Sequence, residues 1–165
     1  MQADILIKNA QIVDGSGARP FHADIAITGD QITQLGALRG ATAEHVIDAT
    51  GLTAAPGFID VHTHDDWAVL EDPGLACKIT QGVTTIVAGN CGISAAPFAP
   101  RDGLPAPFGI VPQVNALSAP TVSAYATRVA AACPAVNVSL LVGHSTLRAG
   151  AMEDVSQPAT PDQIA

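Results

Sequence analysis

His62, Thr63 and His64 follow one short apolar run, Phe58 to Val61, and Cys91 follows another, Val83 to Ala88. Imidazole and thiolate are the side chains that hold zinc most readily. Residues i and i+2 of a strand point to one face, so His62 and His64 are expected to project together where the first run ends. Two imidazoles alone do not make a site, and an isolated His-x-His is as often a polar pair closing a strand. Cys91 sits in Gly89-Asn90-Cys91-Gly92, where flanking glycines let the backbone turn sharply. A thiolate is a soft ligand that favours zinc over magnesium or calcium. A lone cysteine is more commonly a buried structural residue, and that is the reading given to Cys77 and Cys133, on expected helix faces. Asp60, two residues before His62, should share its direction, with a carboxylate placed to orient a ligating histidine.

The elements that must position these residues follow from periodicity. Asp4 to Val13 alternates loosely and reads as a strand broken into two short pieces, ending at Asp14-Gly15-Ser16-Gly17. Ala23 to Thr28, Gly29-Asp30 and Gln31 to Leu35 form a hairpin with a two-residue primed turn. His45 to Ala49 is a further short strand. Residues 1–55 therefore read as a small antiparallel sheet, with His22 and His45 at its surface and without a role. Beyond Pro56 the pattern changes. Phe58 to Val61 reads as a buried strand. Asp72-Pro73 opens a helix carrying Leu75, Ala76 and Ile79 and closed by Gly82. Val83 to Ala88 reads as a strand buried on both faces. Pro97 to Pro112 is an extended surface loop. Val122, Tyr125, Ala126, Val129 and Cys133 mark a helix face stopped by Pro134, and Asn137 to Val142 is a third strand. Strands alternating with helices mean βαβ units and a parallel sheet. Thr160-Pro161-Asp162-Gln163 has the form of a capped helix start.

The chain has 165 residues, 48% hydrophobic and 13% charged, a composition that folds rather than stays disordered. The formal net charge of -8 argues against nucleic acid or an anionic membrane as partner. No apolar run approaches the roughly 18 residues that span a bilayer. The N-terminus lacks a basic and an apolar signal region, which points to the cytoplasm. An odd number of cysteines, three, does not suggest a disulfide framework.

Pro56-Gly57-Phe58-Ile59-Asp60-Val61-His62-Thr63-His64 resembles the first barrel strand of the amidohydrolase superfamily. Asp65 and Asp66 narrow the likeness to the D-aminoacylase (N-acyl-D-amino-acid deacylase) branch. Gly89-Asn90-Cys91-Gly92-Ile93-Ser94 and Val142-Gly143-His144-Ser145-Thr146-Leu147-Arg148 agree with it. The resemblance covers essentially the whole chain. It implies an α/β fold: a small antiparallel β-sandwich domain, residues 1–55, before a metal-dependent-hydrolase (β/α)8 TIM-like barrel, of which residues 56–165 supply the first three β/α units. Such a barrel takes about 250 residues, so the chain is expected to be the N-terminal part of a longer enzyme.

The resemblance also implies chemistry. Zinc would be held by His62, His64 and Cys91, with Cys91 where other amidohydrolases use a carbamylated lysine or a glutamate. One ion would be tightly bound, and a second, weaker site at His62 and His64 stays open as an alternative. The reaction implied is metal-assisted hydrolysis of the amide bond of a small N-acyl-D-amino acid. The acid–base aspartate and two further histidines of the family are expected beyond residue 165, so no catalytic residue is assigned in this chain. Asp65 and Asp66 are as readily loop-capping residues. Arg148 reads equally as a fork for a substrate carboxylate or as a surface arginine, and His144 as a lining or loop residue. Two other readings stand beside this one: a dihydroorotase- or hydantoinase-like cyclic amidase, against which Cys91 argues, and a non-catalytic remnant with an open sheet edge.

Overall fold

The computed structural model describes residues 2–99, 108 and 118–164, in two compact units, residues 1–56 and 57–165. The first unit is built on β1 (Gln2–Ile12), β2 (Phe21–Thr28), β3 (Gln31–Gly36), β4 (Thr42–Asp48) and the two-residue β5 (Thr53–Ala54). The strand order is β3-β2-β1-β4, with β5 also on β1. The hairpin β2–β3 forms across Gly29-Asp30. The expectation of a purely antiparallel sheet is corrected. After β3 the chain crosses to the far edge, where β4 and β5 run parallel to β1.

β1 is also one strand, not two. Its loose alternation has a physical cause in a bulge at Asn9, which has φ 63 and breaks the β1–β2 register between Ile7 and Ala10. An extra residue shifts the side-chain parity of a strand by one. Ile7, Ala10 and Ile12 thus share one face and pack with Ala23, Ile25 and Ala49. Leu6 lies on the other with Ala3 and Ala26. Two carboxylates hold the bulge. Asp24 accepts from the main-chain N–H groups of Asn9 (2.9 Å) and Leu38 (3.1 Å), and Asp48 accepts from Asn9 Nδ2 (3.0 Å). His22 and His45 are exposed.

The second unit carries a parallel sheet, β6-β7-β8, formed by β6 (Phe58–Asp60), β7 (Val83–Ala88) and β8 (Asn137–Leu140). Its helices are α1 (Ala68–Glu71), α2 (Ala76–Ile79), α3 (Val122–Ala132), α4 (His144–Ala151) and α5 (Pro161–Ile164). The core gathers Trp67, Val69, Leu75, Ile86, Phe98 and Tyr125 with smaller residues around them. Several expectations change. Among the described residues β6 pairs with β7 alone, and its side chains are open: Phe58 is 65% exposed and Ile59 60%. β7 buries Ile86 and Ala88 fully, while Val83, Thr85 and Val87 on its other face are half-buried. The helix expected from Pro73 starts at Ala76, because Leu75 takes a left-handed conformation (φ 40) that puts its side chain in the core.

In α3 the N-cap is Thr121, whose hydroxyl accepts from Ala124 N–H (3.0 Å), and the inward residue is Tyr125, with Val129 and Ala124 packed beside it. Ala126 faces out. Cys133 is not on the helix face at all. It is the left-handed C-cap (φ 48) and is exposed, as is Cys77, so neither is the core cysteine expected. α4 is a helix the periodicity did not announce. The capping box at Thr160 forms in part, with Thr160 N–H donating to Gln163 Oε1 at 2.9 Å. Of the expected proline-rich loop, residues 100–107 and 109–112 lie outside the described residues. No helix among the described residues is long and apolar enough to cross a membrane.

Two outcomes follow from this packing. Gly89, at the end of β7, has φ 81, and a Cβ there would lie 2.0 Å from the Leu141 carbonyl oxygen. Gly89→Ala should cost about 2 kcal/mol or more in denaturant unfolding, whereas Gly150→Ala, where a Cβ meets nothing within 4 Å, should not destabilise. Equal stabilities of the two variants would contradict the packing. Asp24 is held below the ordinary carboxylate range, chiefly by the Asn9 N–H, with burial opposing. A carboxylate lowered in the folded state stabilises above its unfolded pKa, and the contribution fades as pH falls through the folded value. The stability gap between the chain and its Asp24→Asn variant should therefore be constant near neutrality and narrow below about pH 4. A gap unchanged down to pH 2 would contradict the bulge-holding role.

Candidate metal centre

β6 ends at Asp60. His62 and His64 therefore stand on the loop beyond it, and their convergence is not the i, i+2 geometry of a strand. The loop itself brings them together, with ring centroids 5.9 Å apart at an interplanar angle of 72°. Cys91 follows β7 on a second loop and takes φ 55, an uncommon backbone conformation for a residue with a side chain. Its Sγ lies 3.1 Å from His62 Nε2. One ligand atom each of His62, His64 and Cys91 lies within 4.8 Å of the others, and all three residues are exposed. Ligands about 2.1 Å (nitrogen) and 2.3 Å (sulfur) from a tetrahedral zinc stand roughly 3.6 Å apart. The cluster is thus already near the size of a single zinc shell, with a donor set of two imidazoles and a thiolate suited to that ion.

Why these loops meet is written in buried polar contacts. Asp66 is fully buried, and its carboxylate accepts the main-chain N–H groups of Gly89 and Ala95, each at 3.1 Å. The loop bearing His62 and His64 is thereby fastened to both ends of the loop bearing Cys91. Burial pushes the Asp66 carboxyl up, against the pull of those two N–H groups. The Tyr125 hydroxyl donates to the Asp66 carbonyl at 2.9 Å, and burial followed by the Asp66 charge pushes that phenol up as well. Asn90 donates through Nδ2 to the carbonyls of Val87 (2.7 Å) and Thr63 (3.4 Å), a second tie between the same loops.

The start of α4 is joined to them too. Gly143 N–H donates to Ser94 Oγ at 3.0 Å, Ser94 N–H to Thr146 Oγ1 at 2.8 Å, and Thr146 N–H to the Gly92 carbonyl at 3.1 Å. A Cβ at position 143 would lie 2.3 Å from that carbonyl oxygen, so only glycine lets the backbones approach this closely.

On the other side of the histidine loop stands an ionic group. Lys78 Nζ lies 2.7 Å from Asp60 Oδ2, 2.8 Å from Asp65 Oδ2 and 3.3 Å from Thr63 Oγ1. Burial works against the Lys78 ammonium, but the bonds to Asp60 and Asp65 outweigh it and raise its pKa. Asp60 is held below the usual carboxylate range, first by Lys78 and then by the His62 main-chain N–H. Asp60 Oδ1 accepts that N–H at 3.2 Å, so in this structure its carboxylate grips the loop backbone beside His62, not the imidazole.

The remaining sequence candidates fall elsewhere. His144 is exposed at the first position of α4. Arg148 donates through Nη2 to the carbonyls of Val155 (2.7 Å) and Gln157 (2.8 Å), which anchors the turn after α4. Both line a cavity of about 640 Å³ with Leu147, Met152, Gln163 and Ile164, a lining that includes none of the three cluster residues. The sequence reading missed Lys78, whose only outward signal was a lone cation on a short helix. It also gave Asp66 no role beyond capping or lining the loop, where the structure buries it as the tie between two loops.

Comparison with known proteins identifies the family. A profile of the amidohydrolase family matches residues 45–165. The D-aminoacylase of Alcaligenes xylosoxydans xylosoxydans is 42% identical over 162 residues, which is 98% of this chain and 33% of that protein. A solved D-aminoacylase structure, from work on its binuclear metal centre with one-metal activation and second-metal attenuation, matches at TM-score 0.92 and 42% identity, over 98% of this chain and 34% of that one. The N-acyl-D-glutamate deacylase of Bordetella bronchiseptica, complexed with zinc and a phosphonate mimic of the tetrahedral intermediate, matches at TM-score 0.87 and 40% identity, over 99% and 34%. The chain spans about a third of the length of these relatives. With more than two thirds of its residues inside the family profile and its fold matched throughout by a D-aminoacylase, the chain belongs to the amidohydrolase family.

Proposed function

We propose that these 165 residues are the metal-holding first part of a zinc-dependent N-acyl-D-amino-acid deacylase. The observation that carries the reading is the cluster itself, with His62 Nε2 3.1 Å from Cys91 Sγ and His64 within the same 4.8 Å envelope. His62, His64 and Cys91 would hold the ion. The thiolate favours zinc, and the relatives named above are a D-aminoacylase with a binuclear metal centre and a zinc-complexed N-acyl-D-glutamate deacylase. Bound zinc supplies Lewis acidity towards the amide carbonyl and lowers the pKa of water into the neutral range. The Cys91 thiolate would neutralise part of the charge of the ion, and all three residues that would hold it are exposed.

In this reading the parallel sheet β6-β7-β8 is the opening segment of a (β/α)8 barrel, residues 56–165, and the mixed sheet of residues 1–55 is one layer of a β-sandwich. The substrate is a small N-acyl-D-amino acid, the products a carboxylate and a D-amino acid, and the compartment the cytoplasm. Asp60 and Asp66 act by fixing the ligand-bearing loops. No described residue is assigned the acid–base step. Arg148 is not assigned the substrate carboxylate, because its guanidinium is engaged with Val155 and Gln157.

The test is an assay of the uninterrupted reading frame that carries these codons, on N-acetyl-D-amino acids and their L-enantiomers. Release of the D-amino acid, abolished by a chelator and restored by zinc, is expected, and the 165-residue chain alone should show no turnover. A zinc-replete product of that frame with no hydrolysis of any N-acyl-D-amino acid, or turnover by the 165-residue chain alone, would contradict the reading.

A further inference from the structure

Among the described residues Lys78 is bonded to both acidic residues flanking the histidine loop and to the threonine between the histidines. Its ammonium meets Asp60 and Asp65 at 2.7 and 2.8 Å and Thr63 Oγ1 at 3.3 Å, with 17% of its side chain exposed. Asp60 precedes His62 by two residues and accepts its main-chain N–H. Thr63 lies between the histidines, is buried, and bonds to Asp65. Asp65 follows His64. A single ammonium therefore fastens residues before, between and after the two imidazoles to α2. We propose that Lys78 is a positioning residue for the zinc site: it clamps the turn from Asp60 to Asp65 so that His62 and His64 are presented together to the ion that Cys91 shares. The proposal rests on the zinc reading above and adds a residue to it.

Two physical effects of removing Lys78 have opposite signs, and this makes the proposal decidable. By Coulomb attraction alone, deleting a positive charge beside two carboxylates makes the neighbourhood more negative and tightens binding of a divalent cation. If the lysine acts through geometry, its loss releases the turn, the ligands must be ordered by the ion itself, and binding weakens. Partners that orient metal ligands are typically worth about 10- to 100-fold in affinity.

The experiment is a zinc competition titration of the product of the uninterrupted reading frame, parent and variants, against a chromophoric chelator, together with thermal melts of the metal-free and zinc-loaded proteins. Lys78→Met should lower zinc affinity at least tenfold. Lys78→Gln, which keeps one donor for a single carboxylate and is milder on folding, should lower it by a smaller factor. The metal-free melting temperature should fall much less than that of the zinc-loaded form. Affinity equal to or tighter than the parent in either folded variant would overturn the proposal while leaving the zinc reading intact. A parent chain that binds no zinc would overturn both, and the parent titration alone separates the two failures.

Discussion

One buried carboxylate carries the arrangement of this site. Asp66 is fully buried and spends its two oxygens on the main-chain N–H groups of Gly89 and Ala95. Leaving a buried carboxylate without donors is costly, on the order of several kcal/mol, so the chain must deliver those two N–H groups to it. Doing so fixes where the Cys91 loop begins and ends relative to the histidine loop two residues upstream. The left-handed backbone at Cys91 is then held by the partners on either side of it, consistent with strain concentrated where a loop is over-determined. Tyr125 couples the same residue to α3, so the core of the unit and the geometry of the cluster are one packing problem.

Around this tie the polar groups divide into two layers of work. Asn90, Ser94 and Thr146 pair main-chain groups of three loops that follow parallel strands. They hold the backbones at van der Waals distance, which is why glycine stands at 89 and 143. Lys78 with Asp60 and Asp65 lies on the other side of the histidines and leaves a surplus of negative charge there. Such a surplus favours a cation at the neighbouring imidazoles and thiolate.

Much of this was legible in the residues. The strand-helix alternation beyond Pro56 predicts the parallel sheet, and the resemblance of their motifs to the amidohydrolase pattern singles out His62, His64 and Cys91. What was not legible had physical reasons. A bulge at Asn9 shifts the parity of β1, so one strand reads as two pieces. Parallel pairing of β4 to β1 is a crossover, which local alternation cannot distinguish from a hairpin. The exposure of Phe58 and Ile59 goes with the end position of β6 in the order β6-β7-β8 among the described residues, a matter of strand pairing that the apolar run does not encode. Cys133 reads as the last residue of a helix face, but a C-cap conformation turns it outward. Lys78 and Arg148 show the same limit from the side of charge: composition gives a cation, and only the fold decides which carboxylates or carbonyls it meets.

The central claim is that His62, His64 and Cys91 bind one metal ion together. Cobalt(II) titration of the 165-residue chain, followed by absorption spectroscopy, tests it most directly, because cobalt takes the zinc geometry and reports a thiolate ligand by a charge-transfer band in the near ultraviolet. The account predicts that band with saturation at one ion per chain, its loss in Cys91→Ala, and displacement of cobalt by zinc. Cobalt bound without the thiolate band, or equal metal content in Cys91→Ala, would contradict it.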